Sequence, residues 1–168
     1  MSTVYTGGTF DLFHEGHVEM LEACARMAGP NGLVVVGLNT DEFVTRYKGT
    51  PPLMDYRQRA LLLLSCRHVD VVVPNTGEED SKITIEMLES TVWNSEEPED
   101  HETRWVGLPD IVAIGDDWAC RDYYKQMGFT KQWLDEKRIV LVYVDRRTGE
   151  STTSIKQRLT SSPADPGP

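Results

Sequence analysis

Residues 7–17 read Gly-Gly-Thr-Phe-Asp-Leu-Phe-His-Glu-Gly-His, and this stretch is the most informative part of the chain. Residues 3–6 before it are typical of a short strand. Residues 18–27 after it carry apolar side chains at helical spacing. The sequence therefore predicts a strand, a glycine turn and a helix, in that order.

The turn has features that suit a phosphate group. Gly7 and Gly8 lack side chains, so their backbone N–H groups could approach a phosphate closely. Gly16 and His17 open the predicted helix, whose first N–H groups lack internal partners and lie at the positive end of its dipole. His14 and His17 are three residues apart, so both imidazoles can face one side of the turn. This pattern favours stabilising the charge that develops during phosphoryl transfer.

Each feature has an ordinary structural explanation when it occurs alone. A glycine pair after a strand is commonly just a turn, and two histidines at this spacing could be half of a metal site. Here the strand, the glycines, both histidines and the helix start all fall within residues 3–17. Their coincidence favours the functional interpretation.

Residues 8–17 resemble the signature of the cytidylyltransferase-like nucleotidyltransferases, Gly-x-Phe-Asp-x-x-His-x-Gly-His, and match it at every specified position. Residues 146–152, Arg-Arg-Thr-Gly-Glu-Ser-Thr, resemble the Arg-Thr-Glu-Gly-Ile-Ser-Thr segment of the glycerol-3-phosphate and choline-phosphate members. The interior Thr-Glu of that segment is Arg-Thr here, and its isoleucine is Glu150. Intermediate stretches similar to the glycerol-3-phosphate members lie at residues 39–43, 56–59, 66–70 and 114–118. The likeness covers most of residues 3–160.

Alternating strands and helices predict a Rossmann-like α/β fold, a five-stranded parallel sheet with helices on both faces. The strands are predicted from continuous apolar runs, at residues 3–7, 33–38, 69–73, 111–115 and 139–144. The helices are predicted at residues 16–28, 41–46, 55–65, 81–90 and 152–160, the last capped by Ser151 or Thr152. Ligands of such sheets collect at the carboxyl ends of the strands, which is where the glycine turn falls.

The length of 168 residues, with 39% hydrophobic residues, suits one domain. We expect a nucleotidyltransferase domain at residues 1–160, with an acidic insertion at about 76–109, and a disordered tail at 161–168. The net charge is −10, but residues 78–102 hold ten acidic residues and one basic, leaving 17 acidic and 16 basic elsewhere. The acidity is therefore regional. Nucleic acid is not expected as a partner, because no stripe of Lys and Arg with interleaved aromatics is present.

Residues 92–109 lack the period of a strand or a helix and are rich in charge. A loop of that length inside a domain is uncommon unless it is functional or disordered. Trp93 and Trp105 favour an ordered flap or an interface element, and a solvated loop is the other interpretation.

We expect a cytoplasmic protein with no membrane insertion, because no apolar run could cross a bilayer and the start lacks a secretory signal. Three cysteines, Cys24, Cys66 and Cys120, are far apart and odd in number, which argues against a disulfide framework or a zinc site. The resemblance alone implies a homodimer.

The resemblance, with the chemistry of the residues, implies three groups of site residues. His14, His17 and Lys48 would be catalytic, stabilising charge on the α-phosphate, although Lys48 could be a surface lysine. Residues expected to bind the nucleotide are Gly8, Thr9, Phe10, Gly16, Asp116, Arg146, Ser151, Thr152 and Thr153. Residues expected to bind the acceptor are Asp11, Arg59, Asp117 and Trp118. Asp11 could instead cap a turn, Asp117 could be solvated, and Ser151 to Thr153 could be an ordinary helix cap.

The implied reaction transfers CMP from CTP to a small phosphorylated alcohol, with glycerol 3-phosphate as the first choice, and releases pyrophosphate. Mg²⁺ would accompany the triphosphate with few protein ligands, so no metal-binding residues are predicted. One alternative is an adenylyltransferase that uses ATP with a sugar phosphate or another phosphorylated acceptor; the altered Arg147, Thr148 and Glu150 keep it open. Another is a noncatalytic nucleotide-binding module, which both histidines and the distal arginine disfavour.

Overall fold

The structure, a computed structural model, describes residues 2–77, 82–94, 103–116, 127–145 and 151–161. The strands are β1 (Thr3–Gly8), β2 (Leu33–Asn39), β3 (Val71–Asn75), β4 (Val92–Asn94), β5 (Thr103–Trp105), β6 (Ile111–Gly115) and β7 (Val140–Val144). The helices are α1 (Glu15–Ala28), α2 (Asp41–Lys48), α3 (Tyr56–Leu64), α4 (Lys82–Met87), α5 (Lys131–Lys137) and α6 (Thr152–Ser161), and a 3-10 turn (Leu88–Ser90) follows α4.

Five parallel strands form the main sheet, in the order β3-β2-β1-β6-β7. β1 lies at its centre, with β2 on one side and β6 on the other, so the strand order reverses beside β1. All five predicted strands are present, and β3 and β7 begin two residues and one residue later than predicted. The predicted α/β fold is confirmed.

Side chains alternate between the two faces of the sheet, which gives a core on each side. On one face, Val4, Val34 and Val36 pack against α1 and against Leu63 of α3. On the other, residues including Tyr5, Val35 and Val112 pack against α4 and α5. Burial on this scale is the main stabilising force of the domain. It also raises the pKa of the Cys24 thiol to about 12, which makes this cysteine unreactive at neutral pH.

The helices begin and end where short polar residues and glycines allow. Thr40 caps α2 by accepting a hydrogen bond from the N–H of Phe43 at 3.2 Å, and Gly49 ends the helix in the left-handed conformation. Asp55 and Gln58 cap α3 reciprocally. The predicted helix at 81–90 is α4 followed by the 3-10 turn within the described residues.

The helix α5 and the strands β4 and β5 were not predicted. Thr130 caps the two-turn helix α5, in which Leu134 is the buried residue, so the apolar period is too weak to detect. β4 and β5 form an antiparallel pair, with Val92 opposite Trp105. Both ends of the segment expected at 92–109 are therefore ordered, while residues 95–102 between them, like most of the predicted tail, lie outside the described residues.

No helix in the described part of the chain is both long and apolar enough to cross a bilayer.

Candidate functional site

A cavity of about 560 Å³ opens at the carboxyl ends of the main sheet, beside the point where the strand order reverses. Its walls come from the turn after β1, α2 and the loop after it, the ends of β3 and β6, and the start of α6. This volume is typical of a small-molecule site, and the place is where open parallel sheets bind ligands. The predicted site residues that line it are Gly8, Thr9, Phe10, Asp11, His14, Gly16, His17, Lys48, Ser151, Thr152 and Thr153.

The turn after β1 has an unusual backbone. Phe10 and Leu12 have φ values of 51° and 48°, in the left-handed region that residues with side chains rarely adopt. Such a conformation persists only when the surroundings hold it. Here the guanidinium of Arg59 donates to the carbonyl of Thr9, and Thr152 Oγ1 donates to the carbonyl of Asp11 at 2.7 Å. Distant parts of the chain therefore fix the shape of this turn.

His14 and His17 lie side by side at the start of α1 and both line the cavity. Their rings stack, with centroids 3.8 Å apart and planes at 27°. The backbone N–H of His14 donates to Nδ1 of His17 at 3.4 Å. With Nδ1 accepting, a neutral His17 ring carries its proton on Nε2, so Nε2 is then the hydrogen-bond donor of the ring. Phe10 and Phe13 also contact the His17 ring, with centroids 5.0 and 5.6 Å away, and so fix its position.

The first turn of α6 faces the same cavity. Ser151, one of the two predicted caps, is its N-cap: the N–H of Ser154 donates to Ser151 Oγ at 3.1 Å, and the N–H of Ser151 donates to Ser154 Oγ at 2.9 Å. The N–H groups of such a turn lie at the positive end of the helix dipole. The histidine pair and a second helix start are thus brought into one cavity, and a helix start is suited to an anion.

Lys48 is the last residue of α2, just before the left-handed Gly49. Its side chain is exposed and lines the cavity, and its ammonium lies 5.3 Å from the centroid of the Tyr47 ring. A cation therefore stands at the mouth of the cavity, where it can approach a phosphate.

Asp11 is buried and joins three segments. Its carboxylate accepts hydrogen bonds from the N–H groups of Leu53 at 3.1 Å and Met54 at 3.0 Å, and it pairs with the ammonium of Lys156 at 3.0 Å. Burial by itself would raise the pKa of Asp11, but these hydrogen bonds and Lys156 outweigh it and lower the pKa. The structure thus shows the turn-holding role, and direct contact of Asp11 with an acceptor stays a prediction.

The structure places Arg59 differently from the predicted contact with the acceptor phosphate. The side chain has no exposed surface and is not part of the cavity wall. Its guanidinium donates to the carbonyls of Thr9, Asn39 and Met54, and to the carboxylate of Asp41 at 2.6 Å. Arg59 therefore ties the cavity walls together, because a buried guanidinium needs all these partners. Its contact with a second substrate stays a prediction.

Arg146, Asp117 and Trp118 lie outside the described residues, so their expected contacts stay predictions. Asp116 follows β6 directly and is exposed, and the cavity wall is formed there by Ile114 and Gly115.

Several cavity residues were missed in the sequence, among them Asn39, Tyr47, Asn75 and Lys156. Lys156 follows Thr152 by four residues and so shares its helix face, a signal that was available. Asn39 and Asn75 each end a strand of a parallel sheet, at the edge where ligands bind. No sequence pattern indicated that Tyr47 lines the cavity, since its position depends on how α2 packs.

In the described part of the chain, no three His, Cys, Asp or Glu side chains are grouped to hold a metal ion. Asp11 is the one carboxylate among the described residues of the cavity wall, and Lys156 and two N–H groups already occupy it. These residues fit a divalent cation only as the partner of a bound polyphosphate, whose oxygens would supply most of the ligands.

Comparisons with known proteins point to one enzyme family. Residues 5–158 match the family model described as Cytidylyltransferase-like. The chain is 33% identical over 159 residues to glycerol-3-phosphate cytidylyltransferase of Staphylococcus aureus, covering 95% of this chain and 96% of that protein.

Two other relatives carry different names. Choline-phosphate cytidylyltransferase of Saccharomyces cerevisiae is 46% identical over 135 residues, which are 80% of this chain and 28% of that protein. FAD synthase of Korarchaeum cryptofilum is 30% identical over 157 residues, 93% of this chain and 90% of that protein. The comparisons thus agree on the family and differ on the substrate.

The lowered pKa of Asp11 gives a prediction for stability. Asp11→Asn should reduce the free energy of unfolding at pH 7 by roughly 1–3 kcal/mol, because the amide cannot pair with Lys156. A carboxyl with a lowered folded-state pKa stabilises fully above its unfolded pKa, and the effect is lost as pH falls through the folded pKa. The wild type should therefore lose more stability than the variant on acidification below about pH 5.

Urea denaturation at a series of pH values measures this difference. The matched control is Asp135→Asn, which breaks an exposed Asp–Lys pair with Lys131 and should change stability little. The same acid dependence in wild type and Asp11→Asn would contradict the role given to Asp11.

Proposed function

Because the chain belongs to the cytidylyltransferase-like family, we propose that it transfers CMP from CTP to a small phosphorylated alcohol, with glycerol 3-phosphate as the preferred acceptor. The products are pyrophosphate and a CDP-alcohol. One observation carries the proposal: the histidine pair and the start of α6 line the same cavity. Two separate groups of donors can then hold adjoining phosphates of one nucleotide.

The reaction needs no nucleophile from the protein. An oxygen of the acceptor phosphate attacks the α-phosphorus of CTP, a new P–O bond forms, and the bond to the bridging oxygen breaks. Negative charge builds on the α-phosphate oxygens and on the leaving pyrophosphate. Nε2–H of His17 and the ammonium of Lys48 would stabilise the negative charge on the α-phosphate oxygens. His14 would support the position of His17, because the two rings stack.

The leaving group would lie at the start of α6. The backbone N–H groups there and the hydroxyl of Ser151 are suited to pyrophosphate oxygens. Thr152 would contribute through its backbone, because its hydroxyl already donates its one hydrogen to the carbonyl of Asp11. Arg146 would add a cation, as its sequence position predicts. Because these donors are held in place before the substrate arrives, positioning supplies much of the rate.

Mg²⁺ would bind with the triphosphate and neutralise part of its charge. The phosphates would hold the ion, since the described residues offer no set of carboxylates for it.

Two comparisons bear on the choice of substrates. The glycerol-3-phosphate relative matches over nearly the full length of both chains, which favours that acceptor. The relative named FAD synthase matches over most of both chains, and its product contains an adenylyl group. This favours ATP with another phosphorylated acceptor as the second candidate. A noncatalytic binding module is disfavoured because the histidine pair is present and lines the cavity.

We also propose that the protein is a homodimer. Leu61 and Leu64 of α3 have 64% and 56% of their surface exposed, and Leu62 beside them is partly exposed. Three leucines in four positions of one helix form an apolar surface that a second copy could cover.

The first test is a screen for pyrophosphate. The protein is incubated with Mg²⁺ and each of CTP and ATP, together with glycerol 3-phosphate, phosphocholine, phosphoethanolamine or a sugar phosphate. Release with CTP and glycerol 3-phosphate is expected to be fastest. Faster release with ATP would establish the second candidate, and no release with any pair would favour the binding module.

The second test is His17→Ala, which should reduce turnover by roughly 10²–10³-fold while the fold is kept, because it removes a preorganised donor to the α-phosphate. Initial rates of pyrophosphate release measure the loss, and circular dichroism checks the fold. His68→Ala, a histidine outside the cavity wall, is the control and should keep the wild-type rate. Near-normal turnover of His17→Ala would remove this residue from the mechanism.

The third test concerns the dimer. Leu61→Asp with Leu64→Asp should lower the molecular mass measured by light scattering from that of a dimer to that of a monomer, since two carboxylates cannot be buried there without partners. Leu159→Asp, at an exposed leucine of α6, is the matched control. A monomeric wild type, or a dimer that survives the double change, would contradict the proposed interface.

A further inference from the structure

Two asparagines on the cavity wall have no role in the proposed reaction. Asn39 and Asn75 end the neighbouring strands β2 and β3 and are register partners. The Nδ2 of Asn75 donates to the Oδ1 of Asn39 at 2.8 Å. Only 8% of Asn39 and 3% of Asn75 is exposed, and both residues line the cavity. The cavity wall therefore contains a buried pair of side-chain amides that are hydrogen-bonded to each other.

Hydroxyl groups extend this pair in both directions. Thr84 of α4 donates to the Oδ1 of Asn75 at 3.0 Å, and Nδ2 of Asn39 donates to Thr9 Oγ1 at 3.5 Å. The hydroxyls of Thr9 and Tyr47 are 3.0 Å apart. Every group in this network is polar and uncharged. Its hydrogen bonds fix the orientation of both amides, since buried polar groups must be satisfied.

An amide presents both an N–H donor and a carbonyl acceptor, which is the combination that a hydroxyl needs. The Asn39 amide carries two N–H bonds, and the hydrogen bonds within the described residues use one of them, at the long distance of 3.5 Å. Thr9 belongs to the turn that also carries the histidine pair. The amides thus lie beside the phosphate-binding part of the cavity.

The described cavity wall does not suit a cationic ligand group. Its one carboxylate, that of Asp11, is occupied, while Lys48 and Lys156 contribute positive charge. The rings of Phe43 and Tyr47 could otherwise bind an ammonium group. Each already has a cation over it, because Arg46 lies 5.7 Å from the Phe43 centroid and Lys48 lies 5.3 Å from that of Tyr47. An ammonium group on a ligand would therefore meet repulsion.

We infer that Asn39 and Asn75 form a hydroxyl-recognition subsite, which binds the hydroxyls of a phosphate-bearing ligand and favours an uncharged polyol over an ammonium-bearing group. The hydroxyls belong either to the acceptor or to the ribose of the nucleotide. The identity of these ligands rests on the proposed function. A site that hydrogen-bonds a hydroxyl rejects an analogue without it, because the protein groups are then left unpaired.

Isothermal titration calorimetry with two matched ligand pairs tests the inference. Glycerol 3-phosphate is compared with propyl phosphate, which lacks both hydroxyls, and CTP is compared with 2′-deoxy-CTP. The wild type should bind the hydroxyl-bearing member of at least one pair about tenfold more tightly, as expected for one well-made hydrogen bond.

The test variant is Asn39→Leu with Asn75→Leu, which removes both amides and so leaves neither one buried without the other. In the ligand pair for which the wild type shows a preference, this double variant should no longer bind the hydroxyl-bearing ligand more tightly. Its affinity for the hydroxyl-free ligand should equal that of the wild type. A change that merely disturbs the cavity would weaken both members equally. Asn31→Leu, at an exposed turn asparagine, is the matched control and should keep the preference.

Asn75→Asp is a second variant that keeps the size of the side chain and adds a negative charge. It should improve the binding of phosphoethanolamine relative to glycerol 3-phosphate by several-fold, because the subsite then offers a counter-charge.

The outcomes separate the two possible sources of the hydroxyl. Loss of preference in the glycerol 3-phosphate pair supports recognition of the acceptor, and loss in the CTP pair supports recognition of ribose. Unchanged preferences in both pairs, equal weakening of all ligands, or no preference in the wild type would overturn the inference. If the ligands bind with these preferences but no pyrophosphate is released, the proposed function fails and the subsite stands.

Discussion

The link between Asp11 and α6 is the interaction on which the rest of the site depends. Thr152 donates to the Asp11 carbonyl and Lys156 pairs with the Asp11 carboxylate, across 141 and 145 residues of sequence. Asp11 also holds the backbone of Leu53 and Met54. The beginning of the chain, its end and the loop after α2 therefore meet at one buried carboxylate. Without this link, the histidine pair and the start of α6 would not be held at a fixed distance from each other.

The charge of the cavity wall differs from that of the whole chain, and this difference explains how an acidic chain could hold a polyanion. The net charge of −10 belongs to the whole chain, whereas the described cavity wall carries Lys48 and Lys156 against the single carboxylate of Asp11. Partly buried charges act over short distances and are screened less than surface charges. The local excess of positive charge, with the helix starts, therefore decides what the cavity attracts.

The sequence predicted the parts of the fold that depend on local pattern. Runs such as residues 33–38 are apolar throughout, and this identifies strands buried on both faces. The helix α5 was not predicted, because its one buried leucine produces no helical spacing of apolar residues. The burial of Arg59 could not be predicted, since its partners come from three separate segments: the turn after β1, the junction of β2 and α2, and the loop before α3. The signature predicted which residues line the cavity, but not that Asp11 and Arg59 hold its walls or that Asn39 and Asn75 face it.

In the proposed reaction, the histidine pair and the start of α6 bind one nucleotide together. A crystal structure with a nonhydrolysable CTP analogue and Mg²⁺ tests it most directly. We expect the α-phosphate within hydrogen-bond distance of His17 Nε2, and the β- and γ-phosphates within that distance of the backbone N–H groups of Ser151 to Thr153 or of the hydroxyls of Ser151 and Thr153. A nucleotide whose phosphates contact only one of these groups, or that binds outside this cavity, would contradict the claim.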